Sequence, residues 1–235
     1  MSSAPDLSLV LPFYNEEKNV EWVLEEMTGS FRGAGFSFEL IAVDNGSFDR
    51  TAELIDRMIS RDPGAIRKVT VPVNQGYGHG ILAGLRSARG TYVGYSPGDG
   101  QVPAGDIASV FLKARELDLD FVQGRRIRKD TPLRRMNTRF YNFIFHFFFR
   151  CPVYDVGSNP KILRKSWYEK MNLVSRDWFL DGEIILKTHL AGGRMREFPV
   201  EFRKREEGRS KINMAAALQM LKNVLRWKLK TVRGR

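Results

Sequence analysis

Leu7-Ser-Leu-Val-Leu-Pro12 is an apolar, β-prone run closed by a proline and followed at once by Phe13-Tyr-Asn-Glu16. Such a run reads as a strand. Asn15 is then placed to cap a helical pattern carried by Val20, Val23, Leu24 and Met27 and ending near Gly29. The unit recurs as strand 38–43 with helix 49–60, strand 67–73 with helix 76–88, and strand 91–95. Strands alternating with helices of this length predict an α/β fold with a mostly parallel sheet covered on both faces.

In such sheets, ligands bind beyond the carboxyl ends of the strands. The polar residues gather there: Pro12, Tyr14, Asn15 and Glu16 after the first strand, Asp44, Asn45, Gly46 and Ser47 after the second, Asn74 with Gly76, Gly78 and Gly80 after the third. Each set alone reads equally well as a cap, a plain turn or a loose helix start. Their recurrence at every strand end points to one binding rim. The fourth strand runs into Thr91-Tyr-Val-Gly-Tyr-Ser-Pro-Gly-Asp-Gly-Gln101. Gly98 and Gly100 bracket Asp99 and would let backbone and a bulky ligand come close, while Gln101 adds an amide oxygen. This set suits a hard cation holding a diphosphate, and it equally suits a surface turn.

With 235 residues, 43% of them hydrophobic, the chain is long enough to bury a proper core as one large domain or two small ones. Cys151 is the only cysteine, which excludes an intrachain disulfide, and it reads as a small buried apolar residue. No apolar run approaches the roughly 20 residues of a membrane span, and the first residues lack a signal-peptide core. His79, His146 and His189 are scattered and suggest no metal site. The formal charge of +11 is unevenly placed. Residues 1–123 hold 11 Lys+Arg against 17 Asp+Glu, a balance of −6, and residues 124–235 hold 27 against 10, a balance of +17. The second half therefore faces phosphate groups, an anionic membrane surface or nucleic acid. A nucleic-acid partner would explain the charge but neither the acidic first half nor the strand-end motifs, so none is expected.

After a fifth strand at 120–123, Thr131 and Pro132 open a helix over about 132–149 that carries Phe140-Tyr-Asn-Phe-Ile-Phe-His-Phe-Phe-Phe149. Core packing or a dimer face would account for that aromatic run. The arginines beside it favour an interfacial helix lying in lipid headgroups. Residues 212–235 form a basic amphipathic helix, with Met214, Leu218, Leu221 and Leu225 on one stripe and Lys222, Arg226 and Lys230 on another. Its apolar face packs on the domain with the charges in water, or in addition Trp227 and the terminal basic residues touch lipid.

Leu11-Pro-Phe-Tyr-Asn-Glu16, Val43-Asp-Asn-Gly-Ser-Phe-Asp-Arg-Thr51, Asn74-Gln-Gly-Tyr-Gly and Gly98-Asp-Gly-Gln101 resemble the successive motifs of family 2 glycosyltransferases, which have the nucleotide-diphospho-sugar transferase (GT-A, Rossmann-like) fold. Gly182-Glu183, Glu197-Phe-Pro-Val200 and Arg205-Glu-Glu-Gly-Arg-Ser-Lys211 are similar to the subgroup containing dolichol-phosphate mannose synthase and bacterial polyprenyl-phosphate glucosyltransferases. The resemblance implies that Pro12, Tyr14 and Glu16 line a nucleotide pocket together with Asn45, Asn74 and Gly76, and that Asp44 accepts hydrogen bonds from the base. It implies that Asp99 and Gln101 hold Mg²⁺ or Mn²⁺ on the donor diphosphate, and that Arg205, Ser210 and Lys211 close over the phosphates. Arg126, Arg134 and Thr138 match positions that hold an acceptor lipid phosphate, a task suited to the planar, always charged guanidinium. Asp155 matches the floor of the acceptor site, and Asp181 and Glu183 fall near the family's later acids, Glu183 being the better match. These acids would serve as bases for a hydroxyl acceptor or would orient basic groups.

Two departures stand out. Asn45 replaces a second acid, and Pro97 replaces an aspartate two residues before Asp99. A single carboxylate suffices for Mg²⁺ where phosphates and waters complete the shell. The expectation is an inverting transferase moving a sugar from a GDP- or UDP-sugar to dolichyl or undecaprenyl phosphate. It would act peripherally on the cytoplasmic face of a membrane, alone, as a homo-oligomer or with a membrane partner subunit. Residues 1–211 would be one catalytic domain with nucleotide-sugar-binding (1–123) and acceptor-binding (124–211) halves. The alternatives are transfer to a saccharide or protein hydroxyl and a catalytically weak nucleotide-sugar-binding protein.

Overall fold

Seven strands form one sheet in the order β3-β2-β1-β4-β6-β5-β7. The computed structural model describes residues 4–127, 132–203, 222–224 and 226–228, with 132–138 and 140 described by their backbone alone. The strands are β1 (Leu7–Phe13), β2 (Phe38–Asp44), β3 (Ile66–Thr70), β4 (Tyr92–Tyr95), β5 (Phe121–Ile127), β6 (Lys161–Arg164) and β7 (Met195–Glu201). Between them run α1 (Val20–Gly33), α2 (Thr51–Arg61), α3 (Tyr77–Ser87), α4 (Ala104–Glu116), α5 (Pro132–Phe149), α6 (Lys165–Met171) and α7 (Leu180–Leu190).

β1 pairs in parallel with β2 and β4, β2 with β3, and β5 with β7. β6 lies antiparallel between β4 and β5, so every other strand points the same way. The carboxyl ends of six strands and the start of β6 therefore share one rim. The expected mostly parallel α/β sheet is what forms, with β6 and β7 added to the strands read from sequence. β6 has four residues and opens on a lysine, and β7 carries Pro199. Neither has the alternating or apolar run that marks a strand. Pro199 is tolerated because β7 is an edge strand.

The two faces of the sheet carry separate cores, as strands covered on both sides must. Leu7, Leu9, Leu11 and Phe13 of β1 join Val20, Val23, Leu24, Met27 and Phe31 of α1 on one face. Val10, Ile41, Val43 and Tyr95 join α3, α5 and α7 on the other. A Cβ on Gly84 would come within 2.5 Å of Val10 Cγ1, so glycine is what lets α3 lie close on β1. Helix α1 starts four residues later than expected. Asn15 does not cap it, but adopts a left-handed conformation (φ 52°) and ties the first rim loop to the second. Its N–H donates to Ser47 Oγ and its Oδ1 accepts from the Phe48 N–H.

Candidate active site

The first three rim loops are fastened to one another. Pro12 pairs with Val43 and Phe13 with Asp44, and the Asn45 N–H donates to the Phe13 carbonyl. Asp44 is buried and its Oδ1 accepts the Ser47 N–H at 3.0 Å. Tyr14 meets the exposed Phe48 edge-on, with ring centroids 6.3 Å apart. Glu16 is buried, takes the Asn19 amide at 2.6 Å, and donates its N–H to Thr51. Asn74 Oδ1 accepts the Gly76 N–H, and Asn45 Nδ2 donates to the Gly76 carbonyl. The second oxygen at this junction, Asn45 Oδ1, is buried without a partner. Gly76 adopts φ 109°, and a Cβ there would come within 2.8 Å of the Arg176 carbonyl. The segment after α6 thus folds over the start of α3, where Trp178 stacks on Tyr77 at 4.3 Å.

Asp99 sits partly exposed on the turn from β4 to α4, its Oδ1 accepting the Gln101 N–H. The glycines that bracket it let the turn lie close against protein. A Cβ on Gly98 would strike the Phe13 ring, and one on Gly100, at φ 64°, would strike Trp22. Gln101 is buried, donates its amide to the Arg203 carbonyl, and accepts the Arg203 N–H on its own carbonyl. Its side chain anchors the chain beyond β7 to the Asp99 turn. Among the described residues no group of three or more His, Cys, Asp or Glu could hold a metal ion. One partly exposed carboxylate fits a hard cation carried in on a diphosphate and does not fit a preformed protein cage.

On the other side of the rim, Arg126 and Asp155 form a two-pronged pair. Arg126 Nε donates to Asp155 Oδ2 at 2.7 Å and NH2 to Oδ1 at 2.5 Å, with each side chain 11% exposed. The guanidinium also lies over the Phe202 ring. The loop 154–158 that carries Asp155 is held from several elements. Glu197 accepts the Tyr154 and Asp155 N–H groups, and Gln123 donates to the Asp155 carbonyl. Asn142 of α5 bonds the Tyr154 carbonyl and the Val156 N–H. Lys161 donates to the Val156 and Ser158 carbonyls. Gln123, Asn142 and Lys161 escaped the sequence reading because nothing in their local pattern marks them. Glu197 stood out only as part of a motif.

Glu183 is fully buried and binds the Val174 and Ser175 N–H groups and the Lys187 ammonium. It fastens the segment that covers α3. Asp181 is also buried, accepts the Tyr95 hydroxyl at 2.5 Å, and lies 3.7 Å from Lys161 Nζ. Burial pushes the Asp181 carboxyl up and the Lys161 ammonium down, and each partially offsets the other. Arg134 and Thr138 lie on the backbone of α5, with side chains outside the described ones. Arg205, Ser210 and Lys211 lie outside the described residues, as do Met214, Leu218, Leu221, Leu225 and Lys230.

Helix α5 divides its aromatics. Phe145 is buried beside Gly182 of α7 and Phe149 is buried against Phe145, while Phe143 and Phe147 stack on each other at 6.3 Å and remain 66% and 68% exposed. Arg139 and Arg150 beside them are exposed. In the C-terminal segment, Val224 is buried, Trp227 stacks on Phe179, and Lys228 donates to the Phe148 carbonyl. Trp227 therefore packs on the domain through Phe179 and stays half-buried. No helix among the described residues is long and apolar enough to cross a membrane.

A mostly parallel sheet gathers polar loops, several carboxylates and one oriented arginine on its carboxyl rim, where ligands bind in such folds. The Glycosyl transferase family 2 model matches residues 8–171, and the chain belongs to that family. It is 31% identical over 229 residues to dodecaprenyl-phosphate galacturonate synthase of Rhizobium johnstonii, covering 94% of this chain and 65% of that protein. It is 32% identical over 166 residues to undecaprenyl-phosphate 4-deoxy-4-formamido-L-arabinose transferase of Pseudomonas paraeruginosa, covering 70% and 49%. The chain thus spans about half to two thirds of the length of these curated relatives. Among solved structures it superposes on glucosyl-3-phosphoglycerate synthase of Mycobacterium tuberculosis bound to phosphoglyceric acid, with TM-score 0.73, 18% identity, and coverage of 94% and 79%. It also superposes on the mannosyltransferase PcManGT of Pyrobaculum calidifontis, in complex with GDP-Man and Mn²⁺, with TM-score 0.62, 18% identity, and coverage of 99% and 65%. The fold is that of these GT-A enzymes.

Proposed function

We propose that the chain is an inverting glycosyltransferase that moves a sugar from a nucleoside diphosphate sugar to a polyprenyl phosphate at a membrane surface. The observation that carries this reading is the Arg126–Asp155 fork, a guanidinium held in one plane on the rim by a carboxylate that takes Nε and NH2. The pair uses Nε and NH2; NH1 is the donor proposed to meet an anion, and a charged guanidinium suits a phosphate oxygen better than a neutral hydroxyl. The polyprenyl-phosphate substrates in the names of the relatives support the same acceptor. Tyr14, Asp44 and Asn45 receive the nucleoside, and Glu16 braces the loop that carries Tyr14. Asp99 is the residue that would hold a divalent cation, Mg²⁺ or Mn²⁺, whose chemistry there is to neutralise charge on the departing diphosphate. Arg126, with Arg134 and Thr138 from α5, holds the acceptor phosphate so that its oxygen reaches the anomeric carbon from the side opposite the diphosphate. That oxygen is already anionic at neutral pH, so no side chain has to remove a proton.

The single sheet running from β1 to β7 supports residues 1–211 working as one catalytic unit. The exposed Phe143 and Phe147, with Arg139 and Arg150 beside them, support α5 resting in anionic headgroups, on the cytoplasmic face where nucleotide sugars are supplied. The test is incubation of the purified chain with a panel of UDP- and GDP-sugars, undecaprenyl or dolichyl phosphate, and Mg²⁺ or Mn²⁺. A polyprenyl-phosphate sugar product is expected from at least one donor, and its absence across the panel overturns the proposal.

A further inference from the structure

Lys161 opens β6 with a side chain that has no exposed surface, a placement a lysine takes only when its charge is met. Its ammonium donates to the Val156 carbonyl at 3.0 Å and the Ser158 carbonyl at 2.5 Å, and lies 3.7 Å from Asp181 Oδ1. Asp181 is held in turn by the Tyr95 hydroxyl, and Tyr95 pairs with Lys161 across the β4–β6 ladder. An apolar residue of similar volume would fill the space without desolvating a charge, and such replacements of whole buried pairs are often neutral or stabilising. The two carbonyls that Lys161 holds lie just beyond Asp155, and the Ser158 N–H returns to the Asp155 carbonyl. Glu197, Gln123 and Asn142 secure the loop from β7, β5 and α5. Lys161 secures it from within the sheet. The end product of these bonds is the direction of one carboxylate, onto which Arg126 forks.

We propose that Lys161 is a positioning residue for Arg126, acting through the Val156 and Ser158 carbonyls and the Asp155 carboxylate to set the plane in which the guanidinium meets the acceptor phosphate. The proposal rests on the reading of Arg126 as an acceptor-phosphate ligand. It assigns Asp181 the role of counter-ion to Lys161 in place of that of a base.

The experiment is a double-mutant cycle on sugar transfer, with donor and acceptor varied separately. Lys161→Met is expected to raise the acceptor KM by roughly 10- to 100-fold, the scale at which a small misplacement of a positioned group is felt. The donor KM should stay within about twofold of wild type. In an Arg126→Ala background the same change should cost almost nothing more, because two residues acting through one path are not additive. Should Lys161→Met fail to fold, Lys161→Met with Asp181→Asn removes the uncompensated carboxylate and carries the same expectation. Equal rises in donor and acceptor KM, or losses that add in the Arg126→Ala background, would show a general structural role and overturn the inference. Wild-type chain that transfers no sugar to polyprenyl phosphate would instead fail the parent reading.

Discussion

Asp155→Asn separates two roles that a rim carboxylate can have. In the structure both carboxylate oxygens are engaged by Arg126, at 2.5 and 2.7 Å. Each charge-assisted bond of this kind is worth about 1.5–3 kcal/mol. The asparagine keeps one acceptor oxygen and turns an NH2 toward a guanidinium NH2, so one bond is lost and the other is weakened. Taking about 1.5–3 kcal/mol as the loss of orientation, acceptor kcat/KM should fall by roughly 10- to 150-fold. Nearly all of the fall should appear in acceptor KM, because Asp155 acts on Arg126, the ligand proposed for the acceptor phosphate. The assay is steady-state transfer with polyprenyl phosphate varied at saturating nucleotide sugar, then the converse. A general base removed in the same way would cost about 10²–10⁴-fold in kcat with acceptor KM unchanged. That outcome refutes the reasoning. So would tighter acceptor binding, which would show Asp155 competing with the phosphate for Arg126.

Three further expectations follow from packing and charge. Gly100→Ala forces a side chain into a left-handed position and onto Trp22, at roughly 1–2 kcal/mol for the backbone and about 1–3 for the overlap. Calorimetry should show a fall of roughly 5–15 °C in melting temperature, and an unchanged Tm would contradict the contact. Glu39 is buried, which raises its pKa, but hydrogen bonds from Ser8, Arg67 and Arg89 outweigh burial and bring it down to about 2. A depressed carboxylate stabilises above its unfolded value near 4.5 and loses that stabilisation as pH falls toward 2, here about 3 kcal/mol. Urea midpoints between pH 5 and pH 2.5 should therefore fall less steeply for Glu39→Gln than for wild type, and parallel curves would count against the assignment. Phe143→Ser with Phe147→Ser removes two exposed rings, each worth about 1.5–3 kcal/mol on full burial. Sedimentation with anionic vesicles should show binding at least about tenfold weaker with melting unchanged, whereas equal binding would place the lipid contact elsewhere.

The parallel half of the fold is legible because β1, β2 and β4 are buried on both faces and their sequences are correspondingly apolar. The rim loops are legible for the same reason, since the topology fixes where their polar residues gather. What local pattern hides is anything made by pairing distant segments. β6 exists because it completes ladders with β4 and β5, and its first residue is a lysine whose charge is met only in three dimensions. Asn15 reads as a helix cap, yet it bonds across to Ser47 and Phe48, more than thirty residues away. Gly98 and Gly100 read as room for a ligand, and a Cβ on either would also meet protein, Phe13 of β1 and Trp22 of α1. The fork between Arg126 and Asp155 joins residues whose sequence distance carries no periodicity at all.

A competition between two acceptors that differ only in their head group bears most directly on the central claim. The purified chain is given one nucleotide sugar with equal amounts of a polyprenyl phosphate and the matching polyprenol, and the products are separated and their anomeric configuration read by NMR. Sugar should appear on the phosphate alone, with the anomeric configuration opposite to that of the donor. Transfer to the alcohol, or retention of configuration on the phosphate, would contradict an anionic acceptor held by Arg126 and attacking from the far side of the departing diphosphate.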